Sequence, residues 1–526
     1  MTLAVTGERQ GEAFANALAS LLNTRFASRL FAQDATLWGE AAAAEAAVRL
    51  GWTDFAENAR ELVSAAGRLA DEFRAAGIDR FVLCGMGGSS LAPLVIAPDL
   101  TVLDSTHPGA VRAALGGDLS RTAVIVSSKS GGTVETLSHL AAFESAFIGA
   151  GIAPDTRIVF VTDPESKLAD FARVHGNRVF LADPSVGGRF SALTAFGIVP
   201  SVLAGANVSK IVDDAIAARS EFVTDTAENP ALRLASALAA GLPERFLLEL
   251  HPDGGLPAEL GLWIEQLVAE STGKDGRGVL PIALPAGAAA TAVPSVETLY
   301  FGAQSDPAAN GRNADVADGV TRSGLTVTGS LGEQMLLWQV ATAALGFLMG
   351  VDPFNQPDVE AAKVASRATL EENGSESGTA NVPRASDVAA DLLLAAPDGG
   401  YVSIQAYVDP NEPDMDALLE ELRATLSARL GAAVAVGYGP RYLHSTGQLH
   451  KGGPASAAFL QLIGLDAPDV NIPSNEREVA GSPTFGELLL SQARGDASVL
   501  RDRGRAVVTV ETADIRGFVR DLLAAV

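Results

Sequence analysis

The apolar positions fall into three textures along the chain. Residues about 10–75 place Leu, Phe and Trp at three- and four-residue spacing in Ala-rich surroundings with few breakers, which predicts helices. From Asp79 the apolar positions condense into short, largely β-branched runs, 80–85, 101–104, 123–126, 157–162 and 178–181, each alternating with a helical stretch. Such alternation predicts a parallel sheet covered on both faces. A second alternation runs through 245–250, 278–283 and 298–301 and closes in a long apolar helix around 331–350. Beyond a polar stretch at 371–386, a third set comprises 401–408, a charged helix to about Leu430, then 433–437 and 505–511.

This pattern predicts an α/β protein: two doubly wound parallel sheets in tandem plus a smaller C-terminal α/β unit. The expected division is a helical segment 1–75, a first sheet domain 76–235, a second 236–370, a linker 371–386 and a C-terminal unit 387–526. A chain of 526 residues is long for one domain and agrees with such a division. The apolar stretch Met335 to Val351 is flanked or broken by Glu333, Gln334, Gln339 and Gly346, so it reads as a core helix rather than a membrane span.

Composition narrows the partners. A formal net charge of −25 argues against nucleic acid and against anionic membrane surfaces. An anionic substrate then needs a local basic pocket, which is feasible because salt screens the distant charge within about 8–10 Å. Cys84 is the only cysteine, so no internal disulfide can form and a reducing cytoplasm is the expected compartment. The N-terminus lacks a cationic stretch followed by an apolar one, so no signal peptide is expected. The six histidines have no metal-ligand spacing, and no metal site is expected.

Candidate chemistry lies in loops that leave the carboxyl ends of predicted strands, where open α/β sheets bind ligands. Gly85-Met-Gly-Gly-Ser-Ser-Leu91 joins a strand to a helix, and its glycines, Gly88 among them, expose backbone N–H groups beside Ser89. Ser127-Ser-Lys-Ser-Gly-Gly-Thr-Val-Glu135 does the same with three hydroxyls, Ser128, Ser130 and Thr133, and one cation, Lys129. Many short donors converging on one point suit a phosphate. Ser185-Val-Gly-Gly-Arg-Phe-Ser191 sets Arg189 on a double-glycine turn, Gly187-Gly188, where a guanidinium can hold a negatively charged intermediate.

Together these phrases resemble the sugar isomerase (SIS) fold, and the Gly-Gly-Arg-Phe-Ser signature narrows the resemblance to the phosphoglucose isomerase family. Glu270-Ser-Thr-Gly-Lys274 and Phe354-Asn-Gln-Pro-Asp-Val-Glu-Ala-Ala-Lys363 are similar to two further signatures of that family, in family order. The two ends of the chain are more similar to the isomerase half of bifunctional transaldolase–phosphoglucose isomerase proteins. A transaldolase barrel would need about 250 further residues and does not fit.

The resemblance implies glucose 6-phosphate–fructose 6-phosphate interconversion, in glycolysis and gluconeogenesis, without metal or organic cofactor, by a homodimer. It assigns proton transfer to Glu270, enediolate stabilisation to Arg189, ring opening to Lys363 and a histidine, and substrate binding to Gly188 and Gln356. The histidine departs from the pattern. Family members carry it between the glutamate and the lysine and donate it across a dimer interface, yet this chain has no histidine between Glu270 and Lys363. A matching phrase, Leu443-His-Ser-Thr-Gly-Gln448, stands in the C-terminal unit instead, and His444 is the expected ring-opening group. His450 is a second candidate and Lys451 a candidate phosphate contact. Two rival functions remain at this level: an isomerase for another sugar phosphate such as mannose 6-phosphate, and a sugar-phosphate sensor that has lost catalysis. An amino-sugar synthase is disfavoured, because no N-terminal glutamine-hydrolysing cysteine exists.

Overall fold

A computed structural model describes residues 3–9, 11–303, 324–358, 382–473 and 483–526. The chain opens with a short strand, β1 (Ala4–Thr6), followed by helices Glu12–Thr24, Phe26–Phe31, Glu40–Ala46 and Ala56–Ala75. Strands β2 (Arg80–Gly85), β3 (Thr101–Leu103), β4 (Thr122–Ser127), β5 (Ile158–Thr162) and β6 (Arg178–Leu181) then form a parallel sheet in the order β3-β2-β4-β5-β6. The central strand β4, Thr-Ala-Val-Ile-Val-Ser, is buried at every position, as a strand covered on both faces must be.

The second sheet holds β7 (Leu247–Pro252), β8 (Leu280–Ala283), β9 (Val296–Gly302) and β10 (Leu325–Thr328) in the order β1-β10-β9-β7-β8. All its pairings are parallel except that of β1, which runs antiparallel along β10. The helix Leu331–Met349 starts at a Ser330–Glu333 capping box and is buried along nearly its whole length. A helix that is apolar all round belongs in a core, and this one packs against helices Val208–Phe222 and Pro230–Ala239. Among the described residues no helix is long and apolar enough to cross a membrane.

The third sheet is β11 (Tyr401–Tyr407), β12 (Ala433–Tyr438), β13 (Ala457–Gly464) and β14 (Ala506–Thr512), all parallel in the order β12-β11-β13-β14. Its carboxyl edge faces the first sheet. Arg441, just past β12, makes a two-pronged ion pair with the buried Asp104, just past β3, at 2.7 and 2.8 Å. An apolar cluster that includes Phe246, Leu247, Tyr401, Phe459 and Leu500 joins the third unit to the second sheet.

The sequence pattern left out β1, β10 and β13. The first two are three and four residues long, and β13 is an apolar run, interrupted by Gln461, that periodicity alone cannot tell from a buried helix. Of the expected linker 371–386, only 382–386 is described, and residues 385 and 386 already belong to the helix Ala385–Ala395.

Candidate active site

A cavity of about 810 Å³ opens where the three units meet. Its floor is the turn after β4. Ser128 Oγ and Thr133 Oγ1 lie 3.0 Å apart, Ser130 Oγ accepts the Gly132 N–H at 3.3 Å, and the helix Val134–Gly149 starts directly behind. Ser128, Lys129, Ser130 and Thr133 all line the cavity, as do Gly88, Ser89 and Gly188. Lys129 is held by Asp163 Oδ2 at 2.6 Å and by the Pro184 carbonyl at 3.2 Å. Burial pushes the Asp163 carboxyl above its ordinary range against the pull of that lysine.

The turn after β2 comes within backbone contact of the arginine turn. A Cβ on Gly88 would lie 2.1 Å from the Gly188 carbonyl oxygen, so only glycine allows this approach. Gly87, at φ +54°, would likewise bring a Cβ within 2.7 Å of the His444 carbonyl oxygen. The N-terminal helical segment braces the arginine turn from outside: Trp52 stacks on Phe190 with ring centroids 5.1 Å apart, and Phe190 packs on Phe354.

Arg189 is buried and makes four hydrogen bonds and an ion pair. Nε donates to Ser271 Oγ at 2.9 Å, and Nη2 donates to the carbonyls of Pro353 (2.6 Å) and Asn355 (3.0 Å). Nη1 donates to Gln356 Oε1 at 3.0 Å and faces Glu270 Oε1 at 3.3 Å. Burial pushes the guanidinium below its ordinary value, and the neighbouring Glu270 opposes that shift. Glu270 stands near the end of the helix Leu260–Thr272, and its Oε2 accepts from Gln266 Nε2 at 3.2 Å. Lys274, four residues on, is buried and donates to the Asp352 carbonyl. Burial and the nearby Arg189 charge hold its ammonium well below the usual lysine value.

His444 reaches the cavity from the third unit. The chain leaves β12 through Gly439-Pro440, forms the turn Arg441–His444, and sets His444 Nε2 2.9 Å from Glu135 Oε1. Glu135 is buried at the start of the helix that follows the hydroxyl-rich turn. Burial alone would raise its carboxyl, and the His444 ring outweighs that, leaving it below the ordinary range. Gln492 Nε2 donates to the same Glu135 oxygen at 2.7 Å, and its Oε1 accepts from Thr106 at 2.8 Å. Gln266 ties the two halves together, since its Nε2 also donates to the His444 carbonyl at 2.8 Å.

The cavity thus brings together Glu270, Arg189, His444 and Gln356 with the hydroxyl turn. Lys363 lies outside the described residues. His450 and Lys451 do not line the cavity, contrary to expectation. His450 is buried among Tyr401, Tyr442 and Phe459, its Nδ1 2.8 Å from Tyr401 Oη, and burial with the charges of Lys451 and Arg505 pushes its pKa down to about 3. Lys451 is spent on a buried ion pair, its Nζ 2.5 Å from Asp496 Oδ1. Both residues face inward because the short helix Gly447–Gly452 is buried along its whole length.

Sequence reasoning passed over Gln266, Glu135, Gln492 and Arg49, all of which line the cavity. Gln266 had a signal, standing four residues before Glu270 and so on the same helix face. Glu135 stood inside the quoted loop. Gln492 had none, because only packing of the third unit on the first brings it there.

No family model matches the chain. A glucose-6-phosphate isomerase of Rubrobacter xylanophilus is 28% identical over 379 residues, 59% of this chain and 87% of the relative. One from Thermus thermophilus is 33% identical over 264 residues, 45% of this chain, and the chain spans 59% of that relative's length. Among solved structures, a glucose-6-phosphate isomerase of Chlamydia trachomatis superposes with a TM-score of 0.55 at 19% identity, covering 70% of this chain and 88% of that one. The parallel sheet with hydroxyl-rich turns at its carboxyl edge thus shares the fold of that solved isomerase. The chain is similar to these glucose-6-phosphate isomerases over 45 to 59% of its own length.

Proposed function

We propose that this chain is a glucose-6-phosphate isomerase, moving a proton between C1 and C2 of the opened sugar through a cis-enediol. The observation that carries the reading is the meeting of Glu270, Arg189 and His444 in one cavity floored by the hydroxyl turn. Ser128, Ser130 and Thr133, with Ser89, Lys129 and the exposed N–H groups of the Gly88 turn, hold the phosphate at the start of a helix, where partial positive charge gathers. Nε2 of His444 is taken by Glu135, and Nδ1 makes no hydrogen bond among the described residues. Nδ1 is therefore the nitrogen that serves the ring oxygen: once protonated it gives its proton to O5 as the C1–O5 bond breaks and the O1 hydroxyl gives its proton to solvent water, leaving the open-chain aldehyde. Lys363 assists that step in the family pattern.

Glu270 then takes the C2 proton and returns it at C1. As Glu270 becomes neutral, negative charge appears on the enediolate oxygens, and Nη1 of Arg189 passes from the carboxylate to the oxyanion. The guanidinium faces one negative charge throughout, which keeps reorganisation small. Gln356, bonded to the same nitrogen, orients it toward the sugar. This proton chemistry draws on side chains alone and calls for no metal or organic cofactor.

The cytoplasm suits a lone buried thiol and a metabolic sugar phosphate. The assembly the resemblance implies is a homodimer, and sedimentation of the purified chain is expected to give twice the 54.0 kDa chain mass; a species at the single-chain mass refutes it.

The deciding assay is glucose 6-phosphate formation from fructose 6-phosphate in EDTA, with wild type and His444→Ala side by side. The wild type is expected to turn over, and the variant to lose about 10²–10⁴-fold, the span of a general acid–base group. Sugar-phosphate binding without turnover in the wild type would point to a sensor. Full activity in His444→Ala would remove the histidine from the mechanism.

A further inference from the structure

His444 sits on a segment that begins beyond Gly439-Pro440 and ends at Gly453, and both ends of that segment converge on one carboxylate. Tyr442 Oη donates to Asp496 Oδ2 at 2.7 Å, and Lys451 Nζ lies 2.5 Å from Asp496 Oδ1. Asp496 is fully buried, and Tyr442 and Lys451 are nearly so. Lys451 also donates to the Gly447 carbonyl at 3.2 Å, and Tyr442 Oη meets Tyr407 Oη at 2.9 Å, so the grip extends to the end of β11. Asp496 belongs to the helix Phe485–Asp502, and Gln492 stands four residues before it, on the same face. Gln492 holds Glu135, the carboxylate that faces His444. One helix face thus fixes the histidine's backbone from one side and its ring partner from the other.

Stability does not account for a lysine–aspartate pair at this depth. The cost of desolvating two charges offsets most of their attraction, and apolar residues of the same size hold a core as well. What a charged, hydrogen-bonded carboxylate supplies is a fixed geometry. We infer that Asp496, through Tyr442 and Lys451, is a positioning residue for His444 and sets the efficiency of ring opening. This inference rests on the isomerase reading with His444 as the ring-opening group.

The test separates ring opening from proton transfer. Fructose 6-phosphate is cyclic and needs opening, whereas 5-deoxyfructose 6-phosphate lacks the oxygen that closes the ring and enters the site open. Two variants are compared with wild type on both: Tyr442→Phe, which removes a single hydroxyl, and the pair Asp496→Asn with Lys451→Met, which removes both charges together. Each is expected to lower kcat on fructose 6-phosphate about tenfold, the scale of a small misplacement of a catalytic group, with KM and the open-chain rate unchanged. Equal losses on both sugars would make the network merely structural, and no loss on either would make it idle; both outcomes overturn the inference. Should the double variant fail to fold, Tyr442→Phe decides alone. Failure of the underlying reading looks different, because His444→Ala would then keep its rate on the cyclic sugar.

Discussion

Glu270→Gln is expected to abolish isomerisation while leaving the sugar phosphate bound. The substitution keeps the size of the side chain and an oxygen for Arg189 Nη1, which now faces Glu270 Oε1 at 3.3 Å, and gives up the acceptor that Oε2 offers Gln266 Nε2 at 3.2 Å. It removes the carboxylate proposed to accept the C2 proton. Loss of a placed general base lowers the rate by up to about 10⁴-fold. The phosphate turn lies on another element, between β4 and the helix Val134–Gly149, so affinity for fructose 6-phosphate should stay within a few-fold of wild type by calorimetry. The sharper readout is isotopic: in deuterated water the wild type exchanges the C2 proton of glucose 6-phosphate and the variant does not. Parallel loss of binding would make Glu270 a structural residue.

Arg189→Lys should be nearly as damaging to turnover and more damaging to the fold. The guanidinium offers five donors, and four of them make hydrogen bonds, to Ser271, Gln356, Pro353 and Asn355, while Nη1 also faces Glu270 as an ion pair. A lysine keeps the charge with three donors on a flexible stem. At least two buried acceptors then go unpaired, at about 1–3 kcal/mol each, and the melting temperature should fall. Turnover should drop by about 10²–10³-fold, the usual cost of one misplaced donor to a developing oxyanion. The expected signature is a fall in kcat with little change in KM, because the arginine matters most once charge has moved off Glu270. A rise in KM at unchanged kcat would instead make Arg189 a ground-state binder.

The two long α/β stretches were legible because parallel strands buried on both faces write themselves as short apolar runs, and β2 and β4 need no tertiary information to be found. The loops were legible for the same reason, since glycines and hydroxyls directly after such runs have few other uses. Short strands were not: β1 gains its place only by lying along β10, some 320 residues away in sequence. The limits of phrase-reading are plain at His450 and Lys451. Six and seven residues after His444, they share its phrase, but a one-and-a-half-turn helix points them into the core. Sequence proximity carried them toward the site, and helix geometry turned them away. Gln492 is the converse case, distant from every motif and delivered by packing.

Glu270, on the helix Leu260–Thr272, and His444, in the third unit, reach the cavity from a single polypeptide, bridged by the side chain of Gln266. A cell carrying two damaged copies, one without the glutamate and one without the histidine, would gain nothing from mixing them. Each copy holds only part of a site and has no way to lend it. Inheritance would treat the two lesions as one and the same gene function, with no mutual rescue between the alleles.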